Sequence, residues 1–493
     1  MLPSGPLAAE PPRFAAMLAN GQRIEGKRLE SWHQRAQMPR LDGKELLNDA
    51  NPLKWLRDRW LQPGQAPEAY VELTNGDRLP CRVQAFATGQ GPSQWESVPP
   101  HFLAQPTVEV SPPHSGPHDN VRIVQRFVRR IVWQPRQAGN SYVPGALFLR
   151  DGRTIKFRAA RFHAGGVKVL QDRGHEEVAF REIAELHLPE KDPWASYYDE
   201  LAMLSPTGKD RLLQIDSTEG LIATGSHMHF TIASHGNAGD SDNWYHGLQP
   251  AWCLDTLWTR NSKIWMRRCW AIDEVPLSRV PPVEVQSRSI LAQGERAWQR
   301  DQNTRRRAMQ NAKQSYGWGL GVHAYSELHF PLPEIATSFR ARVGLDDVVA
   351  EGGCVRARVY AGSVESNRLY ESPFIVGSQQ SHDTQDINLA NLPADQRRLI
   401  LQVNPAHRGR PAKADPFDIR DIANWLDPVV RLDRGKLLTE VAARVPGRMA
   451  AFEGWDVQQH PEGDYRWTSD FRRHDNSQPG NFYQQVYARN QPL

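Results

Sequence analysis

Two stretches gather residues able to do chemistry. The first is "SHMHFTIASHGNAGDSDNWYH", Ser226 to His246. His227 and His229 are two apart, so on a strand they share a face. With His235, Asp240, Asp242 or His246 they are the residue types that bind zinc. The spacing after Ser234 is irregular, which favours a polar strand face followed by a solvent loop. The second stretch is "YGWGLGVHAYSELHFPLP", Tyr316 to Pro333. Its second half alternates, with Leu328, Phe330 and Leu332 on one face and Glu327 and His329 on the other, and predicts a half-buried strand. Its first half carries Gly317, Gly319 and Gly321 on alternate positions around Trp318. Such spacing suits either a ligand loop that presents Trp318 or a tight path into a sheet. Signatures of phosphate-loop, dinucleotide-binding, zinc-protease and serine-hydrolase chemistry are missing. A pair of glycosidic carboxylates needs only proximity in space, so the sequence leaves it open.

The elements that would position these residues are strands. Three segments resemble one another: Met17–Trp32, Val71–Phe86 and Leu147–Phe162. Each has an apolar strand, then Asn-Gly or Asp-Gly, then a second strand ending on an aromatic. That pattern predicts a hairpin whose two turn residues take positive φ. "GGVKVLQDRGHEEVAF" continues the third copy. Residues 14–190 therefore read as small hairpin or barrel-like units behind a disordered tail at 1–13. "DPWASYYDELAMLSP" predicts a helix, capped by Asp192 and stopped by Pro206. With further strands it fills 191–285. From 286 to 432 short strands at regular spacing, such as "FRARV" and "VRARV", predict an antiparallel sandwich. Residues 433–493 read as the start of another β unit, ending on a strand at Phe482–Ala488 close to the chain's end, as a truncated gene would. The fold class is mostly β.

Within 286–432 five motifs occur in order. They are "GLGVHAYSELHFPLP", "FRARVGLDD", "GGCVRARVY" with "LYESPFIVG", "DINLANLPADQRRLILQV" and "DIANWLDP". Together they resemble the NPCBM family of carbohydrate-binding modules, associated with glycosyl hydrolase family 98. The resemblance implies a galactose-binding-like antiparallel β-sandwich and a glycan or surface polysaccharide as partner. It also leaves room for a structural calcium but implies no other cofactor. "NPAHRGRPAKADPFDIR" replaces a shorter, more acidic lead into the last motif. A sugar site needs a flat aromatic face and a few fixed polar groups. Trp318, His323, Asp346, Asp347, Asp421 and Trp425 are such types on the motif positions. Each also has a plain structural role open to it. Trp425 suits a core with Asp421 pinning a turn, and Asp346–Asp347 suit turn chemistry.

Bulk composition narrows the classes. The chain has 493 residues, 39% hydrophobic and 24% charged, with a net charge of +4. That is globular, too long for one core, and lacks the concentrated basic face of a nucleic-acid binder. No apolar run reaches transmembrane length. Four cysteines without a CxxC leave disulfides open, and Cys253 with Cys269 is the pair to test first. Residues 1–12 lack a signal peptide, though "PLAAE" looks like the end of one. The expected function is a non-catalytic, extracytoplasmic, multidomain glycan binder. The alternatives are a structural or protein-interaction sandwich without a sugar site, and a glycoside hydrolase with its catalytic residues in Leu212–Val285.

Overall fold

Four turns of one construction organise the first part of the chain. At Leu18–Gln22, Leu73–Asp77, Leu149–Arg153 and Ser217–Leu221 the first residue's N–H donates to the fifth residue's carbonyl, and the glycine in fourth place donates back to the first. The glycines Gly21, Gly76, Gly152 and Gly220 have φ of 84°, 84°, 91° and 87°. The residue before each glycine stays out of that region. The expected two-residue turn with two positive φ values is therefore replaced by a longer turn in which glycine alone is left-handed. A side chain disfavours that conformation, and glycine carries none.

The computed structural model describes residues 12–31, 39–88, 90–93, 96–111, 120–136, 142–205, 208, 211–226, 231–234, 241–289, 297–365, 367–412 and 414–449. The tail expected at 1–13 lies almost wholly outside them, as does the strand expected at Phe482–Ala488.

Each turn opens a small unit that closes on itself. The first strand of the unit pairs with its last: Phe14–Leu18 with Leu53–Asp58, Tyr70–Leu73 with Val128–Val132, Ala146–Leu149 with Ile183–His187, and Arg211–Ser217 with Ile264–Ala271. In the last three units a single 3-10 turn precedes the closing strand, at Gln125–Phe127, Phe180–Glu182 and Asn261–Lys263. Neighbouring units join edge to edge through Arg130↔His187, Ile222↔Arg78 and Arg267↔Leu56. The result among the described residues is one fourteen-stranded sheet. Pairing unit to unit removes edges that would otherwise recruit other strands.

The helix α1, Pro193–Leu204, begins where the sequence places it, with Asp192 accepting from the Trp194 N–H. It lies between the units and the sandwich. Tyr197 donates to the Ile272 carbonyl at 2.7 Å, and the Trp194 indole donates to the Pro331 carbonyl at 2.8 Å.

The sandwich has two sheets. One runs in the order Gln299–Arg300, Gly319–His323, Ile422–Leu432, Ala336–Leu345, Ser381–Asp383. The other runs Glu284–Ser287, Ser326–Pro331, Arg398–Asn404, Cys354–Ala361, Asn367–Glu371. Leu328, Phe330, Phe339, Val343, Val359, Leu401 and Trp425 fill the space between, each fully buried. A strand before residue 286, Glu274–Pro276, also pairs with Ile422–Leu432.

Two expectations are corrected. Residues after Leu432 open as a helix, α2 at Arg434–Met449, instead of a β unit. Its apolar positions Leu437, Leu438 and Val441 recur at helical spacing and pack inward, and Asp433 caps it through the Lys436 N–H at 3.0 Å. The rest of that segment, from 450, lies outside the described residues. All four cysteines are free and buried, Cys253 and Cys269 included. Cys253 bridges Ile123 and Cys269 pairs Leu213, so each thiol packs in its own place.

Candidate functional site

The strand Gly319–His323 runs antiparallel to Ile422–Leu432, with His323 opposite Ile422, and Leu345 lies opposite Ala423 on the next strand. This register brings His323, Asp346 and Asp421 to one end of the sandwich. Trp318 and Trp425 lie further in. Trp318 is 1% exposed and Trp425 0%, so neither ring offers a face to solvent. The glycines around Trp318 make room for protein. A Cβ on Gly317 would sit 2.3 Å from the Trp55 ring, one on Gly319 2.3 Å from the Trp425 carbonyl, and one on Gly321 2.2 Å from the Gln302 carbonyl.

The buried carboxylates act as pins. Asp346 accepts from Asn424 at 2.7 Å, from Asn303 at 3.1 Å and from the Val348 and Gln310 N–H groups. Asp347 accepts from the Lys313 N–H at 2.9 Å. His323 Nδ1 lies 2.6 Å from the Ala324 carbonyl. Asp421 accepts from the Cys354 N–H at 2.7 Å and from Arg410 at 2.8 Å. Burial pushes the Asp421 acid up to about 7, against the pull of those two donors.

The 405–421 loop, where the sequence departs from the family pattern, is the exposed feature of this end. Arg410 ties it down. It donates to the carbonyls of Cys354, Asp415 and Phe417 as well as to Asp421. Arg420 holds Asp415 through two bonds of 2.7 and 2.8 Å, and Asp415 takes the Gly353 N–H at 2.8 Å. Arg410 and Arg420 are therefore engaged in holding the loop in place, while Arg408 is exposed. Its exposed apolar residues are Phe417, 54% exposed with φ of 56°, and Ile419, 39% exposed. A bulky residue at positive φ is held there by its surroundings. Phe417 escaped the sequence reading, because an aromatic in a Pro/Asp-rich loop carries no periodicity. Beside the same end, Tyr325 donates to Glu327, and Gln402 donates to Glu327 at 2.8 Å.

The histidine-rich stretch divides. His227, His229, His235 and Asp240 lie outside the described residues. Asp242 pairs with Arg13 at 2.7 Å. His246 is buried 3.1 Å from Asn261 and 3.3 Å from Arg267. Burial and the Arg267 guanidinium hold its pKa well below the ordinary value. A cation so close opposes a metal ion. Among the described residues no three His, Cys, Asp or Glu side chains are grouped to hold a metal.

The model of the NPCBM/NEW2 domain family matches residues 274–431. The family read from the motifs is thus the one that matches, and the match begins at the strand Glu274–Pro276. No curated protein matches the sequence. Among solved structures the chain is similar to the CBM51 module of Clostridium perfringens GH95 in complex with methyl-galactose, at 19% identity over 32% of this chain and 99% of that one, TM-score 0.26. It is similar to the CBM51-2 and INT domains of Clostridium perfringens ZmpB with GlcNAc, at 17% identity over 43% of each chain, TM-score 0.27. It is also similar to the M60 catalytic domain with both CBM51 domains of the same protein, at 10% identity over 85% of this chain and 51% of that one, TM-score 0.26. This chain therefore spans about half of each ZmpB structure or less.

Proposed function

We propose that this is a non-catalytic, multidomain glycan-binding protein that works outside the cytoplasm on a surface polysaccharide. The observation that carries the reading is the NPCBM/NEW2 match over a complete two-sheet sandwich. The contact surface is the loop end, with Phe417 as the apolar platform for a sugar's C–H face. His323, Asp346 and Asp421 set the loops, Asp347 holds the Lys313 turn, and Trp318 and Trp425 support them from the core. No helix among the described residues is long and apolar enough to cross a membrane.

A glycan array probed with the whole protein tests this. Binding to a defined glycan set, weakened about tenfold or more by Phe417→Ala at an unchanged melting temperature, is the expected result. A protein that binds no glycan would fit the second reading, a protein-interaction sandwich. The exposed Phe417–Ile419 pair favours that alternative, since adjacent apolar side chains also suit a protein partner.

A further inference from the structure

Where the first small unit closes, Arg13 connects a core ring to a surface ring. Phe14 is 1% exposed and Trp60 66%. The Arg13 guanidinium lies over both, 4.8 Å from the Phe14 ring centroid and 4.9 Å from that of Trp60. Among the described tryptophans Trp60 is the only exposed one.

The ring is fixed in place. Arg13 Nε donates to Asp58 at 2.8 Å, and its terminal nitrogens donate to the two oxygens of Asp242 at 3.0 and 2.7 Å. These bonds lie in the guanidinium plane and leave its faces to the rings. Asp58, itself 1% exposed, also accepts from the Trp60 N–H at 3.0 Å. The next residue, Leu61, packs inward with Trp55, Trp265 and Met17. Trp60 thus stands out of the surface between two anchored neighbours. A lone exposed apolar residue is ordinary. One whose backbone and one ring face are set in advance is a prepared surface, since binding then orders little.

The surroundings choose the partner. Asp242 is 42% exposed in its side chain, and beside the ring Arg59, 27% exposed, pairs with Glu25, 47% exposed. An apolar protein surface seated on Trp60 would strip water from these charges. A sugar would meet the ring with its C–H bonds and the charged rim with its hydroxyls.

We propose that Trp60 is a second glycan contact, stacking its open face on a pyranose ring of a β-linked chain. In such a ring the substituents lie around the edge and the C–H bonds point from the faces. The proposal rests on the reading above only for the class of ligand. It shares no residue with the loop end.

The test uses the whole protein carrying Phe417→Ala, which isolates the site, labelled with 5-fluorotryptophan. Trp60→Phe identifies the Trp60 fluorine resonance by removing it. The probes are chitohexaose, cellohexaose and a β-1,4-galactan, against α-linked maltohexaose. At least one β-linked probe should move the Trp60 resonance, and maltohexaose should leave it in place. Trp60→Ala in the same background should raise the Kd of that probe about tenfold or more at an unchanged melting temperature, and Trp60→Phe should keep most of the affinity. A resonance that no β-linked probe moves would overturn the proposal, as would a Kd untouched by Trp60→Ala or maltohexaose bound as tightly. Glycan binding that Phe417→Ala alone abolishes would leave the loop-end reading standing without this one. A dimer that Trp60→Ala dissolves, with no probe bound, would give the ring to a second copy of the chain and overturn the proposal.

Discussion

Gly317 lies against the indole of Trp55, so close that a Cβ on the glycine would stand 2.3 Å from Trp55 Cγ. Trp55 belongs to the first small unit and Gly317 to the sandwich. The contact is flanked by Arg23 donating to the Ser315 carbonyl at 2.8 Å, Arg57 donating to the Ser315 hydroxyl at 2.7 Å, and Arg268 donating to the Gly317 carbonyl at 2.5 Å. The stretch from Ser315 to Gly317 is a seam between two bodies.

Gly317→Ala should therefore loosen that seam. The Trp55 ring is 0% exposed and has nowhere to retreat. Overpacking of this kind destabilises by about 1–3 kcal/mol. Urea unfolding of the variant should show this loss. An unchanged midpoint would mean that the ring does move.

Trp318, one residue on, separates packing from presentation. Fully enclosed, it should cost about 3–5 kcal/mol on truncation to alanine. Chemical denaturation of Trp318→Ala reads this directly. A loss under about 1 kcal/mol would show a ring that spends its time exposed.

Much of this was legible in the sequence, for definable reasons. The strand Ser326–Pro331 showed itself by its period of two, though Glu327 and His329 on its polar face are buried as well, so it is not the half-buried strand expected; Asp192–Pro193 marked a helix start. Three of the four units announced themselves by Asn-Gly or Asp-Gly. The fourth, Ser217–Leu221, has Thr-Glu before its glycine and so lacked the signal, though its hydrogen bonds are the same. The glycine spacing around Trp318 was visible, but its purpose was not. It depends on Trp55, Gln302 and the Trp425 carbonyl, which reach those glycines only after folding. Phe417 was hidden for the same reason, since exposure is a property of the packed loop.

The second joint between the bodies is ionic. Arg279 meets Glu200 of α1 in two bonds of 2.9 Å, and the Arg279 guanidinium is 3.7 Å from Asp77. Asp77 in turn accepts from Thr224, Gln214 and the Trp252 indole. All of these are buried. Removing one partner strands the other charge away from water, which destabilises by about 3–5 kcal/mol. Glu200→Ala should show that loss in a denaturation curve, and Glu200→Ala with Arg279→Met should recover part of it. Failure of the double substitution to recover anything would mean that packing, not charge, holds the joint.

Asp427 sets a pH dependence. Burial raises its acid to about 6, against the pull of Lys54, Arg23 and Arg342. Its Oδ1 is buried without a hydrogen-bond partner. The folded state then holds its proton over a range where the unfolded chain has released it. Stability falls as pH rises from about 4 to about 6 and is level in this respect above. Asp427→Asn removes the ionisation and keeps the shape. Melting curves should show the variant gaining on the wild type between pH 4 and 6, by about 3 kcal/mol in all by pH 7.5. An equal gap at both ends of that range would refute the assignment.

Asp421 couples the loop end to pH through geometry. Its carboxylate faces Arg410, the Cys354 N–H and, at longer range, Asp418. Arg410 is also the donor to the Phe417 carbonyl. Burial raises the acid to about 7, so below that pH the closed loop keeps a proton on Asp421 that the opened, solvated carboxyl would release. Opening therefore becomes easier as pH rises from about 4 to about 7 and is level in this respect above. The 405–421 loop should open more readily at pH 8 than at pH 6. Hydrogen exchange of its amides, corrected for the intrinsic rate at each pH, should show less protection at the higher value. Asp421→Asn should make protection the same at both, near the low-pH level. Loop protection that ignores pH in the wild type would detach Asp421 from the loop's order and leave Arg410's three carbonyl bonds to hold it alone.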